Sequence, residues 1–404
     1  MIMKSENLML RLLNLGNDWK IKDIIVNKNF REIDIYIEYT ASTGLCPTTQ
    51  KECKIYDYGE ERRIRHLDLF EYKTYLNLRV PRVKNGNQEV TTMKLDWAGN
   101  RVSYSYLFEA KVIEALSMSK NQTKTADFFK TTFDIVHGIM LRAIERGLLR
   151  RNLDGTKALS IDEKSFGNGQ QYITILSDPV NKKVLDVVQG RKTDDALELL
   201  GWALSPSQLN NISFITMDMW KPFKTAANIL VPGAEIIYDK FHITKYLNKA
   251  VDGTRKDEVK KRGELKGSKY IFLKNTENWT ERQMVKFESI DGANLITSKA
   301  WQIKENFKGF YLQYTHKDCL AYFAKWYINT IGSGIKQMVK VADTLLNHLK
   351  GIVAAAVTGF TNSVAENLNS QIQVVKTVGR GFANPNAYRN AILFFQGKLN
   401  LMPL

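Results

Sequence analysis

The sequence predicts a mixed α/β core that carries an all-α insertion and follows a β-rich domain and a short helical domain. Three observations predict this fold class. Segments of residues 1–98 alternate apolar and polar side chains, as half-buried strands do. From Lys157 onward, short apolar runs give way to alternating helix and strand patterns. Between about residues 243 and 355, the apolar spacing is helical.

The N-terminal third is predicted to form two domains. Arg31–Tyr39 and Lys73–Val80 alternate in polarity, so we expect residues 1–100 to be β-rich. The following segment, residues 101–152, contains one amphipathic helix, then a short helix, a break and a longer helix. This spacing is typical of a helix-turn-helix DNA-binding domain, although any connector of three helices has a similar pattern.

The core is predicted to have a characteristic order of elements. We expect strands at 158–162, 171–176, 183–188, 212–217 and 234–238, with helices at 194–203 and 223–230. Gly167-Asn-Gly169 is a strong hairpin turn signal between the first two strands. Three antiparallel strands followed by alternating helix and strand is the ribonuclease H-like order, in which the first and fourth strands are neighbours. We therefore assign residues 153–242 and 358–404 to a ribonuclease H-like core and residues 243–357 to a helical insertion.

Three acidic residues occupy notable positions in this scheme. Asp162 and Asp218 each end an apolar run, and Glu366 shares a helical face with Asn362 and Asn369. Because the first and fourth strands lie side by side, Asp162 and Asp218 are expected to face each other across one strand spacing. Each acid alone also fits an ordinary role, since aspartate often starts a loop and a helix-surface glutamate is usually solvated. Their common position around one sheet favours a site for divalent cations.

Carboxylates at such a site suit phosphodiester chemistry. Two Mg²⁺ or Mn²⁺ ions a few ångströms apart can activate the attacking oxygen and stabilise the leaving oxygen. Hard cations of this kind take oxygen ligands and need neither cysteine nor histidine. We expect Asp162 to bridge both ions, and Asp218 and Glu366 each to hold one.

Several phrases of this sequence resemble the ISL3 family of bacterial insertion-sequence transposases. They are Ser160–Phe166, Thr216–Phe223, Tyr238–Ile243, Asn362–Ile372 and Gly379–Phe382. Their number and order make the resemblance specific, and it extends from about residue 155 to 400. By this resemblance, Asp162, Asp218 and Glu366 match the catalytic DDE triad of the family.

The resemblance implies a DNA transposase that binds the terminal inverted repeats of its element, cleaves the ends and joins the 3′ hydroxyls to target DNA. Two other functions remain open. One is a catalytically inactive, transposase-derived DNA-binding protein, against which the three intact acids argue. The other is a ribonuclease H-like, structure-selective nuclease, which would cleave without joining strands.

Charge agrees with a double-stranded DNA partner. The formal net charge is +16, as expected of a protein that neutralises many phosphates. Basic residues punctuate the N-terminal strands and cluster between residues 240 and 274, and His242 directly follows the fifth core strand. The residues predicted to contact DNA are Arg62, Arg63, Arg65, Lys124, Lys130, Arg142, His242, Lys260, Lys261 and Arg262.

Zinc is not expected in the β-rich domain. Members of the resembled family commonly carry two closely spaced pairs of zinc-binding cysteines there. This chain has Cys46 and Cys53 but no second pair, and two cysteines make no closed tetrahedral site unless His66 and another ligand join them. We therefore predict a degenerate, zinc-free remnant of a zinc ribbon that still holds DNA.

The remaining expectations concern compartment and assembly. No apolar stretch is long enough to span a membrane, and charged residues interrupt the N-terminus, so we expect a cytoplasmic, nucleoid-associated bacterial protein. Three cysteines are too few for a disulfide scaffold. Because transposition must coordinate two DNA ends, we expect a homodimer or larger assembly on DNA.

Overall fold

The computed structural model describes residues 5–167, 171–274, 278–290, 295–360, 363–382 and 384–403. They form two compact units. The N-terminal unit comprises Met1–Arg151 together with Leu399–Leu404, and the core unit comprises Asn152–Lys398. The sequence pattern does not predict that residues 399–404 belong to the N-terminal unit.

The first part of the N-terminal unit is a sheet that follows helix α1 (Ser5–Leu12). Its strands are β1 (Trp19–Asn27), β2 (Glu32–Tyr39), β3 (Thr43–Leu45), β4 (Glu52–Arg65), β5 (Lys73–Lys84) and β6 (Val90–Thr92). The order is β1-β2-β5-β4-β3, with β6 paired to β5. Alternate residues of β2 and β5 are buried, including Ile35, Ile37, Leu76 and Leu78, so the predicted alternation defines the core.

Three helices complete this unit: α2 (Tyr106–Ser119), α3 (Gln122–Phe128) and α4 (Phe133–Leu149). Each begins at a polar cap, because the side chains of Ser105, Asn121 and Thr132 accept hydrogen bonds from backbone amides of the first turn. The short helix, break and longer helix predicted from the sequence are therefore observed. Arg146 of α4 pairs with the buried Glu109 of α2.

The core unit contains a second sheet. Its strands are β7 (Ala158–Ser165), β8 (Tyr172–Asp178), β9 (Lys183–Gln189), β10 (Phe214–Met217) and β11 (Glu235–Tyr238). The order is β11-β10-β7-β8-β9. Strands β7, β8 and β9 are antiparallel, whereas β10 runs parallel to both β7 and β11. The predicted strands and the predicted neighbourhood of the first and fourth strands are confirmed. In the predicted hairpin turn, Asn168 and Gly169 lie outside the described residues.

Helices cover this sheet on both sides. They are α5 (Thr193–Ala203), α6 (Pro206–Asn210), α7 (Lys221–Leu230), α15 (Ser363–Val378) and α16 (Pro385–Gln396). Because both faces are covered, β7 and β8 are buried in continuous apolar runs. The side chain of Arg389 in α16 forms a two-point ion pair with the buried Asp186 of β9, at 2.6 and 2.8 Å. The Tyr388 hydroxyl donates to the backbone oxygen of Ile372 in α15 at 3.2 Å.

The segment between β11 and α15 is helical, as predicted. It contains α8 (Lys240–Val259), α9 (Lys269–Leu273), α10 (Glu281–Ser289), α11 (Ile296–Phe307), α12 (His316–Gly332), α13 (Lys336–Asn347) and α14 (Leu349–Thr358), with 3-10 turns at Gly263–Leu265 and Lys308–Leu312. Buried Phe272, Phe307, Phe310, Phe323 and Trp326 belong to one core with the sheet.

The last two helices of this segment, α13 and α14, are separated by a short break. The break is at His348, whose ring packs edge-on against Tyr238 with the ring centroids 5.0 Å apart. After the break, α14 lies directly on β11. A Cβ atom at Gly351 would come within 2.7 Å of the Ile236 backbone oxygen, so this close approach requires glycine. No helix in the described ranges is long and apolar enough to cross a membrane.

We expect Arg389→Met to destabilise the core unit by about 2 kcal/mol, because it leaves the buried Asp186 carboxylate without its two-point partner. The urea midpoint of the full chain measures this loss. The double variant Arg389→Met with Asp186→Asn should recover part of it, since the charge is then removed as well. An unchanged midpoint for the single variant would show that the ion pair does not fasten α16.

Candidate active site

Three aspartates on neighbouring strands of the core sheet share a single register, Asp162 within β7 and the other two directly after β10 and β11. Thr216 of β10 pairs with Ser160 of β7 and with Ile237 of β11. Two residues beyond each of these positions lie Asp218, Asp162 and Asp239. Because the strands are parallel, the three acids form one row across the carboxyl edge of the sheet, a place where ligands bind in open α/β sheets. The sequence prediction named Asp162 and Asp218 but missed Asp239.

Asp218 and Asp239 adopt the same local geometry. In each, Oδ1 accepts a hydrogen bond of 3.0 Å from the backbone amide two residues later, donated by Trp220 and Phe241 respectively. Each acid directly follows its strand; Asp239 is the N-cap of α8, whereas Asp218 lies two residues before Trp220, the N-cap of α7. The Asp239 amide also donates to the Met217 backbone oxygen at 3.1 Å. This bond fastens the ends of β10 and β11 together.

Helix α15 contributes to holding Asp162 in place. The Asn369 side-chain amide donates to Asp162 Oδ2 at 2.6 Å, and the Glu163 backbone amide donates to Asp162 Oδ1 at 2.8 Å. Lys164, on the same face of β7 as Asp162, donates its ammonium group to the Asn369 backbone oxygen. Asp162 is therefore oriented by hydrogen bonds to both oxygens.

Glu366 lies in the first turn of α15, three residues before Asn369 and therefore on the same helical face. Although most of its side chain is exposed, partial desolvation raises the pKa of Glu366, and the negative charges of Asp239 and Asp162 raise it further. The predicted triad is thus brought into one electrostatic neighbourhood. Asn362, predicted to share this face, lies outside the described residues.

The negative charges of the aspartates in the row repel one another. Burial raises the pKa of Asp218 to about 6, and the carboxylates of Asp162 and Glu163 add to this rise. Burial likewise raises the pKa of Asp162, and Asp239 adds to it. The positive field of His242 opposes both shifts. Buried carboxylates that raise one another's pKa in this way are typical of sites that receive a cation.

His242 lies in the first turn of α8, close to Asp239. Its Nε2 atom is 3.9 Å from Asp239 Oδ2, too far for a hydrogen bond. The same Asp239 oxygen is buried and has no hydrogen-bond partner within the described part of the chain. Within that part, no three acidic, histidine or cysteine side chains already converge on one point at metal-coordination distance. The donor set is nevertheless oxygen-rich, as a hard divalent cation requires.

An aromatic and basic rim borders the row. The Arg191 side chain lies over the Tyr172 ring at 3.8 Å and over the Trp220 ring at 5.2 Å. Its Nη1 atom contacts both carboxylate oxygens of Glu163 at 3.2 Å. The sequence analysis did not single out Arg191, because nothing near it in the chain indicates its partners.

The N-terminal arginines predicted to contact DNA make contacts within the protein. Arg65 is 7% exposed, pairs with Asp68 and donates to backbone oxygens, so burial corrects the prediction of a DNA contact there. Arg63 pairs with Glu32 and Asp34, and Arg62 donates to the Val102 backbone oxygen. Arg142 is half-buried, with its guanidinium over the Tyr104 ring.

The predicted lysines lie at the surface. Lys124 and Lys130 are exposed at the start of α3 and in the α3–α4 turn. Lys260 and Lys261 are also exposed, at the end of α8, where Lys260 lies 3.7 Å from Asp257. Arg262 lies 3.4 Å from Glu264. These side chains remain accessible to a large anionic partner.

Within the described residues, Cys46 and Cys53 belong to no group of three or more side chains that could hold a metal ion. Cys46 is fully buried in the apolar core of the sheet, and Cys53 packs against that core. Hydrogen bonds from the side chain and backbone of Thr49 lower the pKa of Cys46 to about 6. His66 is committed elsewhere, with Nδ1 2.8 Å from the Ser105 hydroxyl, and burial lowers its pKa to about 4. Two sulfurs in an apolar core do not fit a four-ligand zinc site.

Comparison with known proteins matches two parts of the chain to family models. Residues 159–392 match the ISL3 model described as a transposase, and residues 42–85 match the model described as the zinc-finger of transposase IS204/IS1001/IS1096/IS1165. The first match contains all three aspartates of the row, Glu366 and the helical segment between them.

Curated relatives agree with these matches. The chain is 25% identical over 365 residues to the transposase for insertion sequence element IS1001 of Bordetella parapertussis, covering 87% of this chain and 88% of that protein. It is 22% identical over 375 residues to the transposase for insertion sequence element IS1557 of Mycobacterium tuberculosis, covering 85% and 83% respectively. With the family model spanning more than half of its length, the chain belongs to the ISL3 family of insertion-sequence transposases.

Proposed function

We propose that the core unit is a ribonuclease H-like DDE active site that cleaves DNA ends and transfers their 3′ hydroxyls to target DNA. The observation that carries this proposal is the shared register of Asp162 and Asp218 on adjacent parallel strands. Glu366 of α15, whose pKa the charge of Asp162 raises, is the third acid. The order β11-β10-β7-β8-β9, with three antiparallel strands and two parallel additions, supports the ribonuclease H-like assignment.

The residues present fit a divalent cation. Asp162, Asp218 and Glu366 would hold Mg²⁺ or Mn²⁺, and all three offer oxygen ligands. Bound there, such ions supply activation of the attacking oxygen and stabilisation of the leaving oxygen. The protein contributes orientation: Asn369 and Lys164 fix Asp162 to α15, so that helix carries Glu366 to the row. His242 supplies a positive field that favours the ionised acids.

We assign recognition of the terminal inverted repeats to the N-terminal unit. The match of residues 42–85 to a transposase zinc-finger model supports a DNA-binding sheet, and the buried cysteines support one that folds without zinc. Helices α3 and α4 have the spacing of a helix-turn-helix, with Lys124 and Lys130 exposed. Pairing of two ends requires at least two chains on DNA, and the basic segment from Lys240 to Lys274 is the proposed bridge.

Asp162→Asn, Asp218→Asn and Glu366→Gln should each reduce cleavage and strand transfer by at least about 10³-fold, because each removes an oxygen charge that the cations need. DNA affinity, measured by gel shift on terminal-repeat duplex, should stay within about two-fold of wild type, because the residues that bind the cations are not those that bind DNA. Asp257→Asn, a charge-matched control on α8, should remain active. Substantial activity of one triad variant would remove that residue from the site.

The cation-free chain should show a pH-dependent response to Asp218→Asn. Since the pKa of Asp218 is raised to about 6, its ionised form destabilises the fold, and this penalty grows as pH rises from about 4 to 6. The variant should therefore melt roughly 3 °C above wild type at pH 7.5 in chelator. The difference should vanish near pH 4, where both side chains are neutral. A variant that melts below wild type at pH 7.5 would contradict the burial argument.

Lys124→Glu with Lys130→Glu should weaken binding of terminal-repeat DNA by at least about ten-fold at moderate salt, because two phosphate contacts are reversed. Affinity of the wild type should fall on the order of 10³-fold between 50 and 200 mM salt if about six phosphates are contacted. The matched control is Lys157→Glu with Lys182→Glu, exposed at the sheet edge opposite the aspartates. Equal losses in both double variants would mean that only net charge matters.

A further inference from the structure

Asp239 is a structural counterpart of Asp218. Both lie in the same register after parallel strands, and both use Oδ1 to accept from the amide two residues later. Residues at equal register on neighbouring strands project on the same side of the pleat. The second oxygen of Asp239 therefore belongs to the same edge as the predicted triad.

Within the described residues, no group of the fold forms a hydrogen bond with the second carboxylate oxygen of Asp239, Oδ2. Asp239 is 6% exposed, and its Oδ2 atom has no hydrogen-bond partner in the described part of the chain. His242 Nε2, at 3.9 Å, is beyond hydrogen-bond distance. A buried carboxylate oxygen without a partner raises the free energy of the folded state unless a group of opposite charge lies next to it.

The charge of Asp239 acts on the acids of the proposed site. Its negative charge raises the pKa of both Asp162 and Glu366. Two divalent ions carry four positive charges, whereas the three predicted ligands supply three negative ones. A fourth carboxylate would supply the fourth negative charge.

We propose that Asp239 is a fourth cation ligand, whose buried and unpaired Oδ2 is available to a cation while Oδ1 caps α8. This inference rests on the proposed function, because it adds a residue to the same site. It assigns the Asp239-Lys-Phe-His242 phrase a role beyond starting a helix. His242 then stands next to the cation as a neighbour of Asp239.

The test is Mn²⁺ binding to the full-length chain without DNA, measured by calorimetry at pH 7.5. Asp239→Asn keeps an N-cap of similar strength and removes the charge. We expect it to weaken Mn²⁺ binding by at least about ten-fold. Asp239→Ser, which also caps, should behave alike. Asp257→Asn on the exposed side of α8 should bind as wild type does.

Melting in chelator separates this role from a purely structural one. As a ligand, Asp239 repels its neighbours in the cation-free chain, so Asp239→Asn should melt at or above the wild-type temperature. Wild-type Mn²⁺ affinity in Asp239→Asn, with weakened binding in Asp218→Asn, would overturn the role of Asp239 alone. Wild-type affinity in both variants would overturn the proposed metal site itself. A lowered melting temperature with unchanged affinity would identify Asp239 as a cap only.

Discussion

The structure of the core unit depends on a concentration of like charge at one edge of its sheet. Three aspartates share one register on three adjacent strands, Asp162 within β7 and the other two directly after β10 and β11. Glu366 of α15 is in the electrostatic field of Asp162 and Asp239. Burial and mutual repulsion raise the pKa of the acids rather than lower it. Such an arrangement costs free energy in the folded chain. It is understandable where a cation compensates the charge, as the chemistry of an insertion-sequence transposase requires.

The elements around this edge oppose the repulsion. Asn369 and Lys164 connect α15 to β7, and the Lys376 ammonium donates to the Phe166 backbone oxygen. The ion pair of Asp186 and Arg389 then fastens α16 against β9. The helix that carries Glu366 is thus anchored by contacts outside the acids themselves. Its position relative to Asp162 is set by packing rather than by the repelling carboxylates.

Much of this arrangement could be predicted from the sequence, because it depends on local patterns. Apolar runs ended by an acid marked β7 and β10, and their order along the chain predicted that they are neighbours. Asp239 was not predicted as a site residue, because an aspartate directly before a helix is ordinarily interpreted as its N-cap. Only the pairing of β10 with β11 shows that it shares the register of Asp218. Long-range pairing of this kind leaves no trace in a local window.

Other differences have similar causes. Arg65 looked like a surface cation, yet its neighbours in space are Asp68 and backbone oxygens that bury it. In the zinc-finger segment, the absence of a second cysteine pair was visible, but only the structure shows the apolar core that surrounds Cys46.

The central claim is that the acids at the carboxyl edge form a divalent cation site. Anomalous diffraction from crystals of the full chain soaked in Mn²⁺ tests it most directly, because the scattering locates the ion without reference to activity. The account predicts density within about 2.5 Å of carboxylate oxygens of Asp162 and Asp218, with Glu366 completing the shell. Anomalous peaks confined to other parts of the molecule, with none at these acids, would contradict it.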